Sequence, residues 1–148
     1  MPIPGLDEHG LLPQGIHACS LRELQHRFCR FQGSDRRPRL FARLEEFLAE
    51  VKSSGIVVAV ILDGSFVTAE AEPGDIDMIL VLRENHDFAA DLPLAQYNVV
   101  EQRRVRRVYG LDIVVVNDSS EDYDEAVAFF QQVKARPALE KGLLKIAL

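Results

Sequence analysis

The stretch Leu62-Asp63-Gly64-Ser65, followed after nine further residues by Asp75-Ile76-Asp77, decides the fold of this chain. A third acid, Asp112, begins another apolar run about thirty residues later. Short apolar runs that end in turn signals or acids are typical of buried strands. The pattern predicts three strands, covering residues 56–62, 76–82 and 111–116.

The spacing of the acids indicates a site for a divalent cation. Side chains alternate along a strand, so Asp75 and Asp77 are expected on one face. Two carboxylates on one face repel each other unless a cation lies between them, and hard oxygen ligands select Mg²⁺ or Mn²⁺. Asp112, on a neighbouring strand, could complete a two-metal site.

The Gly-Ser pair between the first two strands is expected to bind an anion. Gly64 allows a sharp turn and a close approach of the backbone to a ligand. Ser65 supplies a hydroxyl and begins a short helical turn, whose free N–H groups favour a phosphate. Turn and acids together are the components of a nucleoside triphosphate site.

These motifs resemble those of the nucleotidyltransferase superfamily, which shares its palm domain with the repair DNA polymerases of the beta type. The pattern of that superfamily is Gly followed by Gly or Ser, then Asp-apolar-Asp, then a later Asp. The matching residues are Gly64, Ser65, Asp75, Asp77 and Asp112. The resemblance implies an α+β palm fold, in which a mixed β-sheet packs against helices.

The resemblance also implies an activity: transfer of a nucleoside monophosphate from an NTP such as ATP to an acceptor hydroxyl, with release of pyrophosphate. Asp75 and Asp77 would hold Mg²⁺ or Mn²⁺, Gly64 and Ser65 would bind the β- and γ-phosphates, and Asp112 would activate the acceptor. A narrower likeness, carried by residues 10–17 and 64–68, is to a small uncharacterised bacterial and phage family. It brings no known substrate.

Two departures from the superfamily pattern leave a second hypothesis open. Asp63 stands where an apolar residue is usual, and Phe66-Val67-Thr68-Ala69 lacks the arginine that often follows the turn. A triphosphate site would therefore need a cation from elsewhere in the chain. The alternative function is a non-catalytic partner protein: a nucleotide sensor, or the antitoxin-like half of a toxin–antitoxin pair encoded nearby.

Composition predicts one domain over residues 1–148, since 47% hydrophobic content suffices for a core. The net charge of −6 argues against a generally basic nucleic-acid binder. Neither a membrane-spanning run nor a basic-then-apolar leader is recognisable, so a cytoplasmic protein without membrane contact is expected. The acceptor could be a protein, an RNA or a small molecule. Cys19 and Cys29 indicate neither a disulfide framework nor a zinc site.

The remaining segments are predicted from caps and periodicity. Residues 1–19 read as an irregular arm, and Ser20 and Glu23 form a capping box that opens a helix. The other expectations are a helix over about 35–55, a helix over about 91–110 with a strand over 99–108 as its alternative, a last helix capped by Ser119 or Ser120, and an edge strand over 142–148.

The arginines raise a further question, because several cluster between Arg22 and Arg43. Arg36, Arg37 and Arg39 lie at a helix start, where cations oppose the helix dipole. They are expected either to pair with nearby carboxylates or to contact a phosphate. A second group at positions 103–107 falls near the end of its predicted helix, where the dipole favours positive charge.

Overall fold

Five strands and five helices are present in a computed structural model that describes residues 3–29, 35–70, 73–74, 76–87, 92–133 and 139–148. The strands in these ranges are β1 (Ile16–Ala18), β2 (Val57–Asp63), β3 (Asp77–Leu82), β4 (Asp112–Asn117) and β5 (Leu143–Ala147). The helices are α1 (Leu21–Phe28), α2 (Arg36–Ser54), α3 (Leu94–Val100), α4 (Gln102–Tyr109) and α5 (Glu121–Gln131). Asp75 lies outside the described residues.

The strands form one mixed sheet in the order β1-β5-β2-β3-β4. β2 runs antiparallel to β3 and β5, whereas β3 and β4 are parallel, as are β1 and β5. Residues of α1 to α4 pack on one face of the sheet and build the larger core. Side chains of α5 cover part of the other face, where Tyr123 and Phe130 pack against a smaller apolar cluster that includes Ile61 and Ile79. The α+β class with a mixed sheet is therefore as the sequence predicts.

Local sequence signals explain the first two helices. Ser20 and Glu23 form the predicted capping box at the start of α1, with both reciprocal hydrogen bonds present. α2 ends at Gly55, which takes the left-handed conformation that glycine adopts without strain.

The capping serine of α5 is Ser120, the second of the two candidates.

The single helix predicted over 91–110 is wrong in its middle, and so is the alternative strand over 99–108. The chain breaks at Glu101, whose backbone is extended (φ −83°, ψ 104°). The Glu101 carboxylate accepts hydrogen bonds from the backbone N–H groups of Arg103 and Arg104, which starts α4 anew. Glutamate is not a usual N-cap, so sequence patterns give little warning of this break.

The two ends of the chain also differ from expectation. The arm over 1–19 is not wholly irregular, because β1 pairs in parallel with β5. In turn, β5 is not an edge strand: it lies between β1 and β2 in the sheet. Both corrections have one cause, since an edge strand becomes internal once the N-terminal arm pairs with it.

Arg37 is a charged residue whose side chain is fully buried beside the larger core. Its guanidinium donates hydrogen bonds to the carbonyl oxygens of Phe28, Phe66, Thr68 and Glu70 at 2.6–3.2 Å. Burial lowers the pKa of Arg37 below its usual value, although the charge of Glu70 acts in the opposite direction. One side chain thus joins α1, α2 and the segment that follows the Gly-Ser turn.

The three arginines at the start of α2 therefore serve the fold in ways only partly expected. Arg39 forms the predicted carboxylate pair, 2.6 Å from Asp35. Arg36 donates from Nε to the carbonyl of Pro73 at 2.8 Å. Arg37 donates hydrogen bonds to main-chain carbonyls, and sequence patterns do not distinguish this role from ion pairing.

Among the described residues, no helix is long and apolar enough to cross a membrane.

Replacing Arg37 with lysine should destabilise the protein by about 3 kcal/mol or more. A lysine has three donors on one nitrogen and cannot reach carbonyls spread around a planar fork, so buried acceptors lose their partners. Urea unfolding measures the loss. Arg39→Lys is the matched control on the same helix, because its exposed ion pair contributes only about 0–1 kcal/mol. Equal losses in the two variants would show that the buried contacts of Arg37 contribute little.

Candidate active site

Three carboxylates stand side by side at one end of the sheet. Asp63 is the last residue of β2, and Asp77 and Asp112 are the first residues of β3 and β4. The strand register pairs Asp63 with Asp77 and Asp77 with Asp112. Directly paired residues point to the same face, and neighbouring strands lie about 4.8 Å apart. We call these three residues the acidic row.

Asp63 occupies the inner end of the acidic row and is almost fully buried, with 4% of its surface exposed. Its carboxylate lies 2.9 Å from the ammonium group of Lys141, which precedes β5. Lys141 is itself largely shielded, since only 17% of its side chain is exposed. A buried carboxylate requires such a partner, because removing a charge from water without compensation is costly.

Asp112 occupies the outer end of the acidic row and is partly exposed. Its Oδ1 lies 2.5 Å from Nη1 of Arg106, a residue in the last turn of α4. The Arg106 side chain is 72% exposed and that of Asp112 is 45% exposed. An ion pair this open to water holds its partners weakly, typically by about 0–1 kcal/mol. Arg106 can therefore leave Asp112 at little cost when another ligand arrives.

The turn beside the acidic row requires glycine. Gly64 has φ 93° and ψ 177°, a region of backbone conformation that essentially only glycine occupies. Ser65 then starts a single 3-10 turn, Ser65–Val67, as the sequence predicts. The Ser65 hydroxyl accepts a hydrogen bond from the backbone N–H of Gly74 at 3.0 Å. This bond joins the turn to the segment that leads into β3.

The structure brings together four of the five residues predicted to form the site. Asp77 and Asp112 are register partners, while Gly64 and Ser65 follow directly on the strand paired with Asp77. The fifth, Asp75, lies outside the described residues. Within the described ranges, no group of three or more metal-ligating side chains is close enough to hold an ion. Whether Asp75 completes the ligand set therefore stays a prediction.

Sequence reasoning missed two cations that adjoin the acidic row. Lys141 carries no motif, and it reaches Asp63 because β5, which it precedes, pairs with β2. Arg106 was assigned to the helix dipole, yet it also contacts Asp112. A charged residue at position 63 was the available signal, since a carboxylate on a buried strand predicts a basic partner.

A second cluster holds α4, and hence Arg106, against the rest of the fold. Glu50 on α2 lies 2.6 Å from Nη1 of Arg104 and also accepts a hydrogen bond from the Tyr109 hydroxyl. Burial alone would raise the pKa of Glu50, but the hydrogen bonds from Arg104 and Tyr109 and the charge of Arg104 outweigh it. The Glu50 pKa therefore lies below its ordinary value near 4.5. For Tyr109, burial and the nearby Glu50 raise the pKa above 10.

Comparison with known proteins places the chain in a family. The family described as "Family of unknown function (DUF6932)" matches residues 4–147. No curated protein and no solved structure was found to match the chain.

Glu50→Gln should weaken folding in a pH-dependent way. A carboxylate whose pKa is lowered by folding stabilises the protein above its unfolded pKa and loses that effect as the pH falls through the folded pKa. We expect the free energy of unfolding of the variant to be about 1–2 kcal/mol below that of the wild type at pH 7, and this difference to narrow below about pH 4.5. Urea unfolding across this range measures it, with exposed Glu45→Gln as the control. A deficit that stays constant with pH would contradict the ionic role of Glu50.

Gly64→Ala should destabilise the protein by about 1–3 kcal/mol, because a side chain forces strain at this φ and ψ. Ser65→Ala loses one hydrogen bond and should cost less, about 0.5–1.5 kcal/mol. Gly74→Ala is the matched control in the same loop, since an added Cβ there meets nothing within 4 Å. Denaturant unfolding ranks the three variants. Equal stability of the Gly64 and Gly74 variants would show that the turn tolerates side chains.

Proposed function

Because the chain belongs to the DUF6932 family, whose description names no activity, we propose its function from the site itself. The proposal is a metal-dependent nucleotidyltransferase with a palm-like fold. It transfers a nucleoside monophosphate from an NTP to an acceptor hydroxyl and releases pyrophosphate. The observation that carries it is the strand register, which sets Asp77 directly beside Asp112 at the end of β2 where the glycine-only turn begins.

The donor set of the site suits a hard divalent cation. Asp77 and Asp112 offer carboxylate oxygens from the same face of neighbouring strands, and oxygen ligands favour Mg²⁺ or Mn²⁺. Asp77, Asp112 and the predicted Asp75 would hold the metal. When bound, it would neutralise charge on the phosphates and lower the pKa of the acceptor hydroxyl.

Lys141 is the cation that we assign to the triphosphate. The segment after Gly64 lacks a basic residue, but the ammonium group of Lys141 lies 2.9 Å from the carboxylate of Asp63, the residue before Gly64. A lysine held by a buried carboxylate has its side chain already ordered, so little entropy is lost when a phosphate approaches. The turn N–H groups and Lys141 would together receive the β- and γ-phosphates.

Asp112 serves the acceptor. Once Arg106 moves away, the partly exposed carboxylate of Asp112 can take the proton of the incoming hydroxyl. The acceptor oxygen bonds to the α-phosphorus, the bond from that phosphorus to the bridging oxygen breaks, and pyrophosphate leaves with the electron pair. Positioning of the two reactants supplies much of the rate.

A transfer assay tests the proposal against its alternative. The 148-residue chain is incubated with Mg²⁺ and α-³²P-labelled NTPs, and transfer to protein, RNA and small molecules of a lysate is followed. Label transfer together with MgATP binding supports the enzyme. MgATP binding without transfer to any acceptor favours the non-catalytic sensor or partner protein.

Asp77→Asn should lower Mg²⁺-dependent ATP affinity by about a hundredfold while leaving the unfolding midpoint near that of the wild type. The change removes one negative charge from the centre of the acidic row but keeps the shape of the side chain. Isothermal titration with and without Mg²⁺ measures it. Asp118→Asn, just beyond the other end of β4, is the matched control. ATP affinity that is equal in all three proteins would rule out Asp77 as a metal ligand.

A further inference from the structure

The solvent face of α4 carries three exposed arginines, one of which, Arg106, pairs with Asp112 of the acidic row. Arg103, Arg106 and Arg107 are three and four residues apart, which places them on one side of the helix. A shallow cleft of about 250 Å³ opens between α4 and β4, and its lining includes Arg103, Arg106 and Asp112. The side chain of Gln102 bridges the two elements by donating to the carbonyl of Ile113 at 3.0 Å. The cleft therefore has one basic wall and one carboxylate.

Helix electrostatics account for only part of this basic wall, because Arg106 and Arg107 lie in the last turn of α4, where the dipole favours positive charge. Arg103 lies in the first turn of α4, where a cation opposes the helix dipole. Like charges three and four residues apart also repel each other along a helix. Within the described part of the chain, neither Arg103 nor Arg107 forms an ion pair, whereas the neighbouring Arg104 is engaged by Glu50. Arg103 thus opposes the dipole, and of the three arginines only Arg106 has a carboxylate partner in this part of the chain. This excess of positive charge beside the cleft suggests an anionic ligand.

We propose that the acceptor substrate carries a phosphate group, which Arg103, Arg106 and Arg107 bind while the acceptor hydroxyl lies at Asp112. This inference rests on the proposed nucleotidyl transfer and names its acceptor class. Guanidinium groups bind phosphate oxygens through paired hydrogen bonds, and the acidic surroundings of a chain with net charge −6 would otherwise repel such a substrate. Arg106 provides the coupling: a phosphate that engages it also releases Asp112 for the acceptor.

Phosphate-bearing acceptors could be the 3′ end of an RNA or a small sugar phosphate, and binding measurements separate the two. Fluorescence anisotropy follows a labelled single-stranded RNA of about twelve nucleotides with a free 3′ hydroxyl. Ribose 5-phosphate and ribose are tested by isothermal titration. An RNA or ribose 5-phosphate that binds while ribose does not supports the proposal and identifies the source. Binding of neither phosphate probe by the wild type overturns it.

The variant Arg103→Gln/Arg107→Gln should lower the affinity for the bound phosphate probe about tenfold. For RNA, two lost phosphate contacts should also reduce the slope of log K against log salt by about 1.4. The matched control is Arg22→Gln/Arg83→Gln, which removes two exposed arginines from α1 and from the far end of β3. Equal losses in both variants, or no loss in either, would overturn the assignment to α4.

A parallel MgATP titration separates this inference from the proposed function. The α4 variant should bind MgATP within about twofold of the wild type, because Lys141 and the Gly-Ser turn hold the donor. If the α4 variant loses MgATP and phosphate-probe binding alike, the arginines serve the donor and the inference falls. If the wild type binds no MgATP, the proposed function falls, whatever the phosphate probes show.

Discussion

The cross-strand register of β2, β3 and β4 is the constraint on which the site depends, because it sets Asp63, Asp77 and Asp112 side by side. Two unit charges about 5 Å apart repel by about 1 kcal/mol in water and by about 3 kcal/mol at an effective dielectric constant of 20. Lys141 at the buried end and Arg106 at the exposed end offset part of this repulsion. The two ion pairs differ in exposure: the Lys141–Asp63 pair is shielded from solvent, while the Arg106–Asp112 pair is open to it.

Two polar clusters outside the site keep this arrangement rigid. Arg37 donates hydrogen bonds to main-chain carbonyls of the segment after the Gly-Ser turn, which holds that segment against α2. Glu50 binds Arg104 and Tyr109 and thereby holds α4, which presents Arg106 to Asp112. Both clusters include α2, which makes this helix the common support of the donor side and the acceptor side of the proposed site.

Sequence patterns predicted what depends on local signals. Strand periodicity located β2, β3 and β4, and the capping box located the start of α1. The sharp turn at Gly64 was predicted correctly, because such a strand-to-turn transition admits few other residues. Features that depend on contacts between distant parts of the chain could not be predicted. These are the insertion of β5 into the sheet, the approach of Lys141 to Asp63, and the hydrogen bonds from Arg37 to main-chain carbonyls. The break at Glu101 was missed because its cap uses an atypical residue.

The most direct test of a metal site in the acidic row is anomalous diffraction from a crystal grown with Mn²⁺ and a non-hydrolysable ATP analogue. The account predicts an anomalous peak bonded to carboxylate oxygens of Asp77 and Asp112, with Arg106 displaced from Asp112 and Lys141 at the phosphates. An Arg106–Asp112 pair that stays intact, with no anomalous peak between Asp77 and Asp112 although the analogue is bound, would contradict the account.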